Sequence, residues 1–167
     1  IALAGRSTNL GVVLPVVGGH VEGLYLGEPA AVDRFGLGDP RLRFAINLYG
    51  APAMVPKAFA GYRQRTLVGV SITVAAPLGQ YDSAKLINLG GNRWAFKPEL
   101  GLSRRWGHWL LDGYGAVWLF TTNPEFFSRN AYYAGVREQT QDPIWALETH
   151  LSYDFKPRLW VSLDGNF

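Results

Sequence analysis

The chain has 167 residues, one domain's worth, with 16 Lys and Arg against 13 Asp and Glu and no Cys. The lack of Cys removes a disulfide framework, a thiolate metal site and a thiol nucleophile, and a net charge of +3 spread along the chain gives no footprint for nucleic acid. Apolar residues make up 48%, yet mean hydropathy is +0.01 and no run of about 18 apolar residues exists, which excludes helical membrane spans.

Eight strands are predicted, in a chain that starts at Ile1 without an initiator Met and so reads as a mature or truncated segment. The first two span roughly 8–17 and 19–27, with Pro15 interrupting one and Gly18-Gly19 supplying a turn or kink. Residues 28–38 read as a turn region. The third strand, about 40–49, sets Leu42, Phe44, Ile46 and Leu48 against Arg41, Arg43, Asn47 and Tyr49. In 50–63, Pro52 and Pro56 precede a segment suited to one short surface helix. The fourth strand, about 64–77, sets Val68, Val70, Ile72 and Val74 against Arg65, Gly69, Ser71, Thr73 and Ala75.

After a long connection over 78–92, the fifth strand sets Trp94, Phe96, Leu100 and Leu102 against Lys97, Glu99, Ser103 and Arg105. Pro98 cannot donate a ladder hydrogen bond, so a bulge or local irregularity is expected there. Gly107 makes a tight turn between Trp106 and Trp109. The sixth strand, about 109–121, is ambiguous, because Asp112 shares a face with Tyr114, Trp118 and Phe120. Residues 122–142 form a long loop carrying Phe126, Phe127, Tyr132 and Tyr133.

The last two strands carry the clearest pattern. Trp145, Leu147, Thr149, Leu151, Tyr153 and Phe155 alternate with Glu148, His150, Ser152 and Asp154, one greasy and one ionisable face. Lys156-Pro157 turns the chain, and Leu159, Val161, Leu163 and Phe167 then oppose Arg158, Ser162, Asp164 and Asn166. Each run is about ten residues, the length a tilted strand needs to cross a bilayer. The 20 Gly, six Trp, eight Tyr and nine Phe suit outer-membrane strands with aromatic girdles. The fold class is therefore all-β, an antiparallel transmembrane outer-membrane β-barrel, as a single domain over 1–167 with about eight strands visible. Short turns at 106–108 and 155–157 belong on the periplasmic side and the long loops outside. Counting strand directions back from the last, the first begins outside. The chain is then expected to be truncated at both ends, a piece of a barrel of at least ten strands.

Several segments in order carry a family resemblance: Gly38-Asp39-Pro40-Arg41-Leu42-Arg43, Asn47-Leu48-Tyr49-Gly50-Ala51-Pro52, Ala76-Pro77-Leu78-Gly79-Gln80-Tyr81-Asp82 and Asn92 to Gly101. Phe120-Thr121-Thr122-Asn123, Glu125-Phe126-Phe127 and Gln141-Asp142-Pro143 extend it. The chain resembles the family of outer-membrane transporters of the phenol meta-degradation (MetA) pathway from about residue 38 to 167, with residues 1–37 matching poorly. The resemblance implies a porin-like barrel that passes aromatic or other small hydrophobic compounds, in relatives that continue past the position of Phe167, and it implies no catalytic residues.

The ionisable side chains on the polar strand faces are Arg41, Arg43, Arg65, Lys97, Glu99, Arg105, Glu148, His150, Asp154, Arg158 and Asp164. They either line a pore and set its charge selectivity or pair into a network that fills a narrow lumen; the sequence leaves both open. His150, Ser152 and Asp154 share a face but project in parallel, about 7 Å apart per step, and do not converge as a triad. His20 and His108 are isolated, without metal-ligand spacing. Gly18-Gly19 and Gly90-Gly91 lack the context of a phosphate loop and read as turn or bulge glycines. Trp94, Trp106, Trp109, Trp145 and Trp160 near strand ends read as interfacial anchors. Phe126, Phe127, Tyr132 and Tyr133 are candidates for a greasy mouth that receives apolar solutes.

The expected function is passive uptake of small, aromatic or hydrophobic solutes through the bacterial outer membrane, without catalysis or cofactor. Its expected partners are outer-membrane lipid and the solute, not nucleic acid, with protein partners and self-association left open. One competitor is a closed structural barrel acting as a scaffold. Another is a soluble ligand-binding barrel, which needs its apolar stripes to face inward.

Overall fold

The period-two alternation of the sequence is carried in phase from strand to strand, so that it divides one large sheet into an apolar and a polar face. The computed structural model describes residues 2–59, 61–127, 134–156 and 158–167. Its strands are β1 (Ala2–Leu3), β2 (Arg6–Val13), β3 (Val16–Tyr25), β4 (Glu28–Leu37), β5 (Arg41–Tyr49), β6 (Thr66–Ala75), β7 (Ala95–Trp106), β8 (Trp109–Phe120), β9 (Ile144–Lys156) and β10 (Leu159–Asn166). One helical turn, α1 (Pro56–Phe59), lies between β5 and β6, in the segment where a short helix is predicted. Eight strands form an antiparallel sheet in the order β1-β2-β5-β6-β7-β8-β9-β10, open between its edges β1 and β10, and β3 pairs only with β4.

Register fixes the faces. Ile46, Val70, Leu100, Gly115 and Leu147 lie in one transverse row, and Arg104, Leu111, Leu151 and Leu163 in another. On the opposite face, one row runs Ser103, Asp112, His150, Asp164 and another Gly101, Tyr114, Glu148, Asn166. The apolar face is uncovered: Leu100 is 57% exposed, Trp145 77% and Leu163 75%. By contrast, the side chains of Lys97 and Glu99 on the polar face are only 16% and 13% exposed. Among the described residues the buried apolar side chains are Ala75, Ala95, Ala116 and Phe127, too few and too small for a soluble core.

Aromatic side chains bound the apolar face at both ends. Trp94 and Phe96 stack at one end. At the other, Trp109 packs edge-on against Tyr153, 4.8 Å between centroids, and Tyr153 against Phe155. The roughly ten residues from Phe96 to Trp106 span about 34 Å of strand, or about 25 Å of height at the usual barrel tilt, matching the apolar band of outer-membrane barrels.

The first forty residues differ from the sequence prediction. Strands 8–17 and 19–27 are not a hairpin, and 28–38 is not a turn region. Instead β2 and β3 run in the same direction, β4 and β5 return, and the reversal falls at Leu26-Gly27, both at positive φ (54° and 89°). Gly18 and Gly19 lie mid-strand opposite Phe35 and Arg34. Pro15 interrupts the ladder rather than turning the chain, because it has no N–H to give; its carbonyl still accepts from Gly38 N at 3.0 Å. The β3–β4 hairpin therefore projects beyond the sheet, at the end that also carries 76–94, 121–127 and 134–143. The described connections 50–59, 61–65 and 107–108, with Arg158, lie at the other end.

Smaller differences have similar causes. A register shift between Asn47 and Tyr49 makes Leu48 the extra residue and moves Tyr49 onto the apolar face beside Val68. Pro98 stays in register with Ile72 on β6, while the β7–β8 ladder lacks pairs at Lys97 and Pro98 without a shift. The local irregularity expected there is a gap in pairing, not a bulge.

Candidate functional site on the polar face

The polar face holds its charges in linked sets. On β7, Lys97 and Glu99 point to the same side, two residues apart, and Lys97 Nζ lies 3.1 Å from Glu99 Oε2. Arg43 Nη2 reaches Glu99 Oε1 at 3.0 Å from β5, and Ser71 Oγ on the intervening β6 donates to the same oxygen at 3.1 Å. Lys97 Nζ also lies 3.5 Å from Glu148 Oε1 on β9. A chain of alternating charge thus crosses from β5 to β9. It is possible because the positions between are small: Ser71, Thr73 and Ala116 share these rows.

A second set joins β9 and β10, where His150 Nδ1 lies 2.5 Å from Asp164 Oδ1 and Ser162 Oγ donates to Asp164 Oδ2 at 3.2 Å. Serine and histidine both bind the carboxylate, and the hydroxyl has no base, so this trio is not arranged as a nucleophilic triad. Ser152 lies opposite Ser162, and Asp154 takes Arg105 Nη1 at 2.6 Å. His150, Ser152 and Asp154 therefore serve three different neighbours, as their parallel projection predicts. The other histidines are separate: His108 Nδ1 lies 2.7 Å from the Asp154 carbonyl in the turn, and His20 bridges Asp33 and Glu22 on the hairpin.

Of the predicted polar-face residues, Arg41, Arg43, Lys97, Glu99, Arg105, Glu148, His150, Asp154 and Asp164 lie on this face by register. Arg65 sits just before β6 at the rim, its carbonyl accepting from Arg105 N at 2.7 Å. Arg158 is off the face, in the turn before β10 at φ 70°, because the chain has not yet re-entered the ladder there.

At the loop end, Phe127 is 5% exposed and lines a cavity of about 410 Å³ with Val21, Tyr25, Val32, Leu86 and Ile87. Its ring lies 6.4 Å from that of Tyr25. Phe126 does not line this cavity; its N–H donates to the Arg137 carbonyl at 2.8 Å. Tyr132 and Tyr133, the other candidates for a greasy mouth, lie outside the described residues. The 78–92 connection is pinned beside the cavity: Arg34 Nε donates to the Ile87 carbonyl at 2.9 Å, and Asp82 pairs with Lys85 at 2.9 Å. That lysine, with the Ala84 N–H, holds the Asp82 carboxyl below its ordinary range.

Asp39 ties the loops to the sheet. Its Oδ1 accepts from Gly79 N at 2.9 Å and its Oδ2 from Gly91 N at 2.7 Å. A Cβ at Gly79 would meet the Gly38–Asp39 backbone at 2.7 Å, so only glycine permits this approach. Asn92 Nδ2 donates to Asn123 Oδ1 at 3.0 Å, and Trp94 N to Thr121 Oγ1 at 3.0 Å. Segments that carry the resemblance, distant in sequence, meet at this end of the sheet.

A family model described as "Putative MetA-pathway of phenol degradation" matches residues 2–167. The chain belongs to this family. The match reaches back to residue 2, so the family's pattern includes β1 to β4, which the sequence resemblance, beginning near residue 38, left out. The fold is similar to the crystal structure of an outer membrane channel from Pseudomonas putida F1, with a TM-score of 0.63 and 19% identity over 95% of this chain and 59% of that one. No curated protein matches the chain.

Within this family member, sequence reasoning left two polar-face residues unassigned: Asp112, which sits in the His150–Asp164 row, and Tyr114, beside Glu148. Ser103 and Ser71, placed on this face by the alternation, join the Asp112 row and Glu99. The sharing of one face by Asp112, Tyr114, Trp118 and Phe120 was the available signal. It is the polar face, and its aromatics stand among the charges: Trp118 has Arg41 Cζ at 6.0 Å and Lys97 Nζ at 5.9 Å from its ring centroid.

Proposed function

We propose that the chain contributes to an outer-membrane β-barrel channel, with the apolar face against lipid and the polar face lining the lumen. One observation carries this reading: the sheet exposes a continuous face of leucines while Lys97 and Glu99, at the centre of the polar face, are sheltered, the reverse of a soluble fold. A soluble barrel with its stripes turned inward would bury Leu100 and Leu147, which are both at least half exposed. The family and the fold of the Pseudomonas channel support an outer-membrane location and a role in transport. The long loops lie outside, the short turns face the periplasm, and the solutes are small aromatic or hydrophobic compounds taken up passively. Lipid and solute are the partners, and no step of catalysis is assigned.

A second reading has its own support. Arg43, Lys97, Glu99 and Glu148 satisfy one another, and a paired network of this kind can close a narrow lumen in a structural barrel. Conductance of the full-length protein in planar bilayers, with reversal potentials under a salt gradient, separates the two. In an open channel, neutralising Glu148 and Asp154 leaves Lys97 and Arg105 in excess and shifts selectivity towards anions. No conductance from the wild type, together with marked destabilisation of the double variant, overturns the channel.

A further inference from the structure

Above the central charges, at the loop end of the polar face, lies a second cavity of about 490 Å³, within the range of small-molecule sites. Its floor is Ala75 and Ala95, paired with each other and both buried. Arg41 flanks them on β5, and Phe120 on β8. The small floor leaves room between the two larger walls, and Trp118, Ile144 and Arg93 share the lining with Val17, Leu89 and Asp39.

The chemistry of this lining is unbalanced. Arg93 stacks over Phe120, its Cζ 4.9 Å from the ring centroid, and gives Nη2 to Gln141 Oε1. Its Nη1 is buried without a hydrogen-bond partner, an arrangement that is costly for a charged donor. Arg41 forms no ion pair among the described residues. The acid that lines the cavity, Asp39, is committed to Gly79 and Gly91. Two arginines, with the Asp39 carboxylate already occupied, therefore share this lining with the rings of Trp118 and Phe120, 6.3 Å apart and 14° from parallel.

We propose that this cavity binds a small aromatic carboxylate, the carboxylate meeting Arg41 beside the Arg93 guanidinium and the ring lying against Trp118 and Phe120. A carboxylate gives a charge-assisted hydrogen bond to Arg41 and offsets the charge of Arg93, and an aromatic ring gains from stacking that an aliphatic acid lacks. A phenol, whose hydroxyl titrates near 10, is neutral at pH 7 and leaves the arginines unbalanced. The proposal rests on the channel reading and narrows its solutes to anions.

The test titrates the full chain, folded in detergent micelles, with benzoate, acetate and benzyl alcohol by calorimetry, in the wild type and in Arg93→Gln, Arg41→Gln and Trp118→Leu. Heat-modifiable gel mobility checks the folding of each. Saturable benzoate binding is expected, about tenfold tighter than acetate or benzyl alcohol and weakened about tenfold in Arg93→Gln and Trp118→Leu. Absent benzoate binding, equal affinity for acetate, or binding unchanged in the folded variants overturns the site. If Arg93→Gln does not fold, Arg41→Gln and Trp118→Leu carry the comparison. The two proposals fail separately. Ion flux without benzoate binding removes the site and leaves the channel. Benzoate binding without any flux removes the channel and leaves the site.

Discussion

Arg43 and Glu99 are 56 residues apart in the chain, yet Nη2 and Oε1 meet at 3.0 Å across the intervening strand β6. Ser71 on that strand donates to the same oxygen, and Lys97 holds the other. Replacing Glu99 by Gln removes the charge that two cations share while leaving both in place. The expected outcome is a loss of about 1–3 kcal/mol, read as a lower midpoint in denaturant-induced unfolding. A midpoint equal to the wild type would mean that the network carries no stability.

The two faces make opposite predictions at adjacent residues. Leu151 lies between Leu111 and Leu163 on the apolar face, and Ser152 between Leu110 and Ser162 on the other. Leu151→Arg is expected to impair assembly, since an arginine against mid-bilayer lipid costs about 2–4 kcal/mol, whereas Ser152→Arg is tolerated. Gel mobility with and without heating reports the folded fraction. Equal folding of both variants would reverse the faces or remove the membrane.

Orientation is open to chemical labelling, since the chain has no Cys of its own. A cysteine at exposed Glu138, at the loop end, should react with an impermeant maleimide on whole cells. One at exposed Lys156, beside the turn after β9, should react only once the outer membrane is broken. The opposite labelling would invert the proposed orientation.

The projecting hairpin carries a pH-dependent contact. His20 pairs with Asp33 at 2.8 Å and Glu22 at 3.0 Å, and these carboxylates, Asp33 foremost, raise its pKa above the ordinary histidine value. A raised folded-state pKa means that the contact contributes fully below the unfolded value and fades as pH rises through the folded one. Asp33→Asn should therefore lower the pKa of His20 in an NMR titration. Hydrogen exchange at Val21 and Val32, next to this pair, should quicken in the wild type as pH rises beyond the intrinsic rate increase. A His20 pKa unaffected by Asp33→Asn would sever the link.

Period-two alternation determined most of this protein before any tertiary contact was considered. Six strands from β5 to β10, their faces and most of the polar-face residues follow from side chains that must alternate along an extended backbone. The first forty residues did not yield to that logic. Pro15 and Gly18-Gly19 resemble turn signals locally, and only pairing with β4 and β5 makes them interruptions within two long strands. Tyr49 changed faces because a bulge adds one residue, a shift invisible without the partner strand. Which charges meet was likewise decided by register: Arg43 with Glu99, His150 with Asp164 and Arg105 with Asp154 join different strands. The setting of Arg93, between the ring of Phe120 on β8 and the amide of Gln141, depends on three separate parts of the chain. Alternation is a property of single strands, whereas pairing and enclosure are properties of strands and loops brought together.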